Sequence, residues 1–126
     1  MTQPHYEVKV LGGFSASHRL RGYRGKCESL HGHNWKVEVS VSAPTLNKTG
    51  MVADFCVLKK ALFSVLKTLD HTYLNDLAYF KKINPTSEHI AHYVFLVFRK
   101  KSRIKGHIRV SVWETDTSRA SYEEIA

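Results

Sequence analysis

His31-Gly32-His33-Asn34-Trp35-Lys36-Val37-Glu38-Val39-Ser40-Val41-Ser42-Ala43 decides the fold class. Trp35, Val37, Val39 and Val41 fall on one parity, and Lys36, Glu38, Ser40 and Ser42 on the other. A period of two predicts a β-strand over residues 33–43, with one face in a core and one in water. His31 and His33 stand at its entrance on the apolar parity, so both imidazoles point the way Trp35 does.

Working outward, residues 6–20 read as an earlier strand, with Gly12-Gly13 predicting a bulge or bend. Phe14, Ala16, His18 and Leu20 share one of its faces. Residues 21–30 form a polar loop containing Gly22 and Gly25, and 44–50 form a turn. Asp54 is the expected cap of a helix running to about Leu69, with Phe55, Leu58, Leu62, Val65, Leu66 and Leu69 as its apolar stripe. Asn84-Pro85-Thr86-Ser87 opens a second helix with Ser87 as candidate cap, and Ile90, Val94, Val97 and Phe98 form its stripe. Beyond Gly106, Ile108, Val110 and Val112 alternate with His107, Arg109 and Ser111, and a short last strand is expected over 121–125. The order ββααββ predicts an α+β domain: an antiparallel sheet with both helices on one face. The two edges of such a sheet favour pairing with further subunits.

A chain of 126 residues suits one domain spanning 1–126. No apolar run approaches the roughly 18 residues of a membrane helix. Met1–His5 lacks the basic-then-apolar order of a secretory signal, so a cytoplasmic location is expected. Nineteen Lys and Arg against eleven Asp and Glu leave a net charge of +8. That charge suits nucleic acid, an anionic membrane or a polyanionic small molecule, and equally a solvated basic surface. Its densest cluster, Arg99, Lys100, Lys101 and Arg103, fits a helix C-terminus and has no interleaved aromatics for stacking bases. Of the two cysteines, Cys56 at the front of the first helix is read as a buried packing thiol.

Three imidazoles carry the chemistry. If the first two strands pair as a hairpin, His18 meets His31 and His33 on one face. That is the ligand set of catalytic zinc, which leaves a fourth position open. Cys27, four residues before His31, is compatible with a fourth ligand, a catalytic thiol with depressed pKa, or a plain loop cysteine. Asp70-His71 pairs a carboxylate with an imidazole, as a proton relay or as charges at a helix end. Glu114 continues the parity of Ile108, Val110 and Val112, so it lies on the apolar face and needs a partner. A cationic or amide-bearing ligand would supply one, as would a structural Arg. Surface or packing roles are expected for His5, His89, His92 and His107.

Several blocks occur in a specific order. Phe14-Ser15-Ala16-Ser17-His18-Arg19-Leu20 precedes Cys27-Glu28-Ser29-Leu30-His31-Gly32-His33, the pattern C-x-x-x-H-G-H. Gly50-Met51-Val52-Ala53-Asp54-Phe55 and Leu69-Asp70-His71-Thr72-Tyr73-Leu74-Asn75 follow. Asn84-Pro85-Thr86-Ser87-Glu88 and Val112-Trp113-Glu114-Thr115 complete the set. Together they resemble the 6-pyruvoyltetrahydropterin synthase superfamily, and within it the 6-carboxytetrahydropterin synthase branch of queuosine biosynthesis, a tRNA modification pathway.

The resemblance implies a tunnelling fold (T-fold): a four-stranded antiparallel sheet with two helices, joined edge to edge into a hexamer of two stacked trimers. It implies a cytoplasmic zinc-dependent lyase that turns 7,8-dihydroneopterin triphosphate into 6-carboxy-5,6,7,8-tetrahydropterin, acetaldehyde and triphosphate. It assigns His18, His31 and His33 to Zn2+, and Cys27, Asp70 and His71 to catalysis. It assigns Glu114 to the pterin's guanidine-like edge, and Thr86, Ser87 and Glu88 to the pterin pocket. The partner is then a small-molecule substrate, with no direct nucleic acid and no membrane. Arg19, Arg21, Arg24 and Lys26 are the expected triphosphate cations. The alternatives are a pyruvoyl-forming synthase, or a pterin-binding module in which Cys27 closes a structural zinc site.

Overall fold

Two long alternating segments pair to form the centre of the sheet. In the computed structural model, which describes residues 5–25 and 28–126, β1 (Tyr6–His18) and β2 (His31–Ala43) run antiparallel. Their register sets Phe14 opposite Trp35, Ala16 opposite His33 and His18 opposite His31. Directly opposed residues share a face, so the imidazoles and Trp35 face the same side. β4 (His107–Thr115) lies on the far side of β2, and β5 (Ser118–Ile125) pairs with β4.

The sheet has five strands, not four, in the order β3-β1-β2-β4-β5, and the expected order ββααββ gains an element. The extra strand is β3 (Thr72–Tyr73), which pairs parallel with β1 at Ala16 and Ser17. Two residues are too short to display an alternation, so no periodicity announces it. The last strand begins at Ser118, three residues earlier than expected.

Helices α1 (Phe55–Leu66) and α2 (Ser87–Ser102) both cover the inner face. Asp54 caps α1, its Oδ1 accepting from the Cys56 N–H at 2.8 Å. The helix stops at Leu66, three residues short of the expected end, although Leu69 is still buried in the turn beyond. Thr86, not Ser87, caps α2: its Oγ1 accepts from the His89 N–H at 3.1 Å. Leu58, Leu62, Val65, Ile90, Val94, Phe95 and Phe98 meet Val37, Val39, Val41, Ile108, Val110 and Val112 in one core. Phe55 and Cys56 stand outside it. Phe55 is 52% exposed and Cys56 is exposed, in the first turn of α1. Cys56 is therefore not the packing thiol its apolar surroundings suggest.

Gly12-Gly13 makes no bulge. The pairing runs unbroken through Gly12 with Val37 and Gly13 with Lys36. Close approach calls for glycine at Gly13, where the neighbour is backbone, whereas at Gly12 it is the end of the Leu66 side chain, which can shift. A Cβ on Gly12 would lie 2.7 Å from the Leu66 side chain, and one on Gly13 would lie 2.9 Å from the Trp35 carbonyl oxygen. β1 ends at His18, two residues before the expected Leu20, because side chains take over as backbone partners. Asn75 accepts from the Arg19 N–H and donates to the Arg19 carbonyl, and Asn84 does the same for Arg21. The Arg21 guanidinium donates to the carbonyls of Asn75, Phe80 and Ile83. It is occupied as a clamp and is withdrawn from the expected triphosphate cations.

Among the described residues, no helix is long and apolar enough to cross a membrane.

Candidate metal centre

The hairpin register delivers His18 and His31 as directly opposed residues, with His33 one step further along the same face. Glu114 arrives from β4 at a local irregularity. The β4–β5 register shifts between Trp113 and Thr115, which makes Glu114 the extra residue of a bulge. Its parity with Ile108, Val110 and Val112 puts the carboxylate on the face of the imidazoles, and the bulge leaves it without a partner on β5. One donor atom from each of His18, His31, His33 and Glu114 lies within 4.8 Å of all the others.

The tutoring of these rings by the backbone is visible at Nδ1. His18 donates from Nδ1 to the Pro85 carbonyl at 2.8 Å, and His31 from Nδ1 to the Ser29 carbonyl at 2.7 Å. In a neutral imidazole the other nitrogen then carries a lone pair. His18 Nε2 and His31 Nε2 face each other at 3.0 Å. The Glu114 Oε2 lies 3.1 Å from His18 Nε2 and 3.3 Å from His33 Nε2. Despite that proximity, His33 Nε2 is buried and makes no hydrogen bond among the described residues. Lone pairs converging on one point repel unless a cation sits between them. The residues present therefore fit a metal ion.

Protonation is the competing way to relieve that repulsion, and burial opposes it. Desolvation holds His18 below the ordinary histidine pKa, outweighing the upward pull of Pro85 and Glu114. His33 is lowered by the same cause, again against Glu114. In the metal-free protein both rings stay neutral near pH 7, while the unfolded chain takes up protons below about 6.5. Acid therefore removes stability from about pH 6.5 down to the folded-state values. The loss is at most about 1.4 kcal/mol per pH unit per ring. Thermal melts of chelator-treated protein from pH 7.5 to pH 5 should show a falling midpoint. A rising midpoint would mean that the rings are charged and paired with Glu114. Asp70 does not confuse this window. The Ser15 backbone N–H and then His71 hold its carboxyl below the usual range, so its own loss comes near pH 4 and lower.

Asp70 and His71 form a separate pair on the edge of β1. Asp70 Oδ1 accepts from the Ser15 N–H at 2.8 Å, and the His71 N–H donates to the Ser15 carbonyl at 2.6 Å. His71 adopts a left-handed backbone, φ 58°, which lets both residues reach Ser15 at once. Asp70 Oδ2 lies 3.0 Å from His71 Nδ1, and the His71 side chain is 83% exposed. An open cavity of about 600 Å³ has both His71 and His33 in its wall, so one member of the pair and one of the cluster border the same space.

Cys27 and Lys26 lie outside the described residues. Thr86 is occupied as the α2 cap, Ser87 follows it, and Glu88 is exposed in the first turn. Thr86 directly follows Pro85, whose carbonyl holds His18. Arg19 and Arg24 are exposed. His89 donates to the Asn84 carbonyl, His92 packs on the Tyr122 ring, and His107 contacts Glu123 at 2.7 Å. These are the packing and surface roles expected of them. Asn75, Asn84 and the Pro85 carbonyl are the supporting groups that sequence reasoning missed. Their role lies in partners more than fifty residues away, so only the fold reveals it.

Comparison with known proteins places nearly the whole chain in one family. The model of the family described as 6-pyruvoyl tetrahydropterin synthase matches residues 7–125. A 6-carboxy-5,6,7,8-tetrahydropterin synthase of Synechocystis sp. is 42% identical over 114 residues, covering 86% of each chain. The 6-pyruvoyl tetrahydrobiopterin synthase of Homo sapiens is 35% identical over 87% of this chain and 86% of its own. The solved 6-pyruvoyl tetrahydropterin synthase of Caenorhabditis elegans superposes with a TM-score of 0.84 at 29% identity, covering 98% of this chain and 99% of that one.

Proposed function

Because the chain belongs to the 6-pyruvoyl tetrahydropterin synthase family, we propose that it is a zinc-dependent lyase of the carboxy-forming branch. Its reaction is the conversion of 7,8-dihydroneopterin triphosphate to 6-carboxy-5,6,7,8-tetrahydropterin, acetaldehyde and triphosphate, on the route to queuosine. The convergence of three histidine Nε2 atoms beside a carboxylate carries this reading. The branch is supported by the three-residue gap between Cys27 and His31, and by relatives named for the carboxy product.

His18, His31 and His33 are the proposed zinc ligands, and the bound ion would supply Lewis acidity toward the substrate's side-chain oxygens. Asp70 holds His71 at Nδ1, which leaves Nε2 free to accept or deliver a proton in the shared cavity. Cys27, as thiolate, is the second proton-moving group. Glu114 accepts hydrogen bonds from the amino and ring N–H groups of the pterin, and Thr86, Ser87 and Glu88 line its pocket. The partner is this small molecule, with neither nucleic acid nor membrane involved.

Residues 1–126 form a single T-fold domain in this proposal, working in the cytoplasm as a hexamer of two trimers. Edge pairing is supported by two observations. β5 lies at one end of the sheet, while β3 covers only Ala16 and Ser17 of β1. Leu11 and Phe63, 57% and 66% exposed, lie along a cavity beside that open edge of β1.

Product analysis tests the reading. Zinc-loaded protein given 7,8-dihydroneopterin triphosphate is expected to release 6-carboxytetrahydropterin and acetaldehyde, and Cys27→Ala to keep zinc but lose turnover. Accumulation of 6-pyruvoyltetrahydropterin as end product would move the chain to the other branch. No turnover, with zinc lost from Cys27→Ala, would make the metal structural.

A further inference from the structure

Glu114 is closer to the histidines than a residue reserved for the pterin needs to be. Imidazole and carboxylate bonds to zinc of about 2.0–2.1 Å in a tetrahedron set neighbouring donors roughly 3.3 Å apart. Three contacts of the cluster already have about that length: His18 to His31 at 3.0 Å, His18 to Glu114 at 3.1 Å, and His33 to Glu114 at 3.3 Å. His33 Nε2 is buried beside the carboxylate without bonding to it. A cation at the centre of the four donors satisfies both groups. The bulge leaves Glu114 without a β5 partner. The β2–β4 pairing ends at Lys36 with Trp113, so no β2 residue is paired with Glu114, and its side chain is 27% exposed toward solvent.

We propose that Glu114 is the fourth metal ligand of the substrate-free protein, and that an arriving pterin takes this carboxylate from the metal. The inference rests on the zinc and pterin reading above. Glu114 then serves two partners in turn. With no substrate the site is closed by four protein ligands, as structural zinc sites are. When the carboxylate turns to the N–H groups of the pterin, a position opens at the metal at the moment a ligand is at hand to fill it.

Cobalt(II) reports on this directly, because its visible absorption follows the number and type of ligands. The measurements are Zn2+ affinity by chelator competition, and Co2+ spectra with and without neopterin, on wild type, Glu114→Gln and Glu114→Ala. Wild type is expected to change spectrum on adding neopterin. Both variants should bind one metal ion with affinity lowered about 10- to 100-fold, at least the range lost with an outer-shell partner. Their substrate-free spectra should differ from that of wild type. Equal affinities overturn the proposal, as does a lowered affinity with an unchanged Co2+ spectrum, which would mean that the carboxylate acts by charge alone. In either case three-histidine binding survives. Failure of wild type itself to hold one ion per chain would overturn the zinc reading as well.

Discussion

His18→Ala is expected to strip the protein of its metal and its turnover together. His18 is the hub of the cluster, since its Nε2 is the atom nearest both His31 and Glu114. Its side chain is 1% exposed, so water has little access to replace it. The fall in metal affinity should exceed about 100-fold, the upper end of what a lost outer-shell partner costs. The Pro85 carbonyl also loses its partner, at about 1–3 kcal/mol for a buried unsatisfied group. Metal content after gel filtration and turnover on dihydroneopterin triphosphate measure both effects. His71→Ala is the contrasting variant, expected to keep full metal content while losing turnover. One metal ion per chain retained by His18→Ala would remove His18 from the ligand set.

Trp35→Ala should produce the largest fall in stability. Trp35 is 2% exposed, and its ring lies parallel to Phe14 at 5.7 Å between centroids. It stands nearly perpendicular to the His18 and His33 rings, with centroids 5.0 Å and 5.3 Å away, and its Nε1–H donates to the Ala16 carbonyl. Truncating a buried Trp costs about 3–5 kcal/mol, which corresponds to a drop in Tm of roughly 10–20 °C for a domain of this size. Because the indole packs against two imidazoles of the cluster, metal affinity should fall in the same variant. Trp35→Phe keeps that packing and should recover most of both. A shift in Tm below about 5 °C would show that the core collapses into the space.

The parts of this fold legible in the sequence are those where one side chain's environment is set by its own strand or helix. The alternation in β2 and β4 gave their faces, and from those faces the meeting of His18, His31 and His33 followed once β1 was paired with β2. Glu114 was legible only as a carboxylate out of place. Parity puts it on the apolar face, but the β2–β4 pairing that brings that face beside the histidines joins residues far apart in sequence. β3 was invisible because two residues have no period. Of the bulge or bend that the glycine pair suggests, the bulge is absent, because glycine reports that space is short without saying whether backbone or side chain fills it. Arg21 looked like a ligand for phosphate because a guanidinium's partners, here three carbonyls distant in sequence, are set by tertiary folding.

The opposed placement of His18 and His31, with Ala16 opposite His33, also bears on how the hairpin finds its register. Sliding one strand past the other by a single residue sends its side chains to the opposite face. In that misaligned hairpin His18 and the His31–His33 pair would look in opposite directions, and no ion could touch all three. An ion that binds only the aligned form draws the population toward it by mass action. Metal supplied during refolding would then act as a proofreader of strand alignment, rewarding the one pairing in which the rings converge.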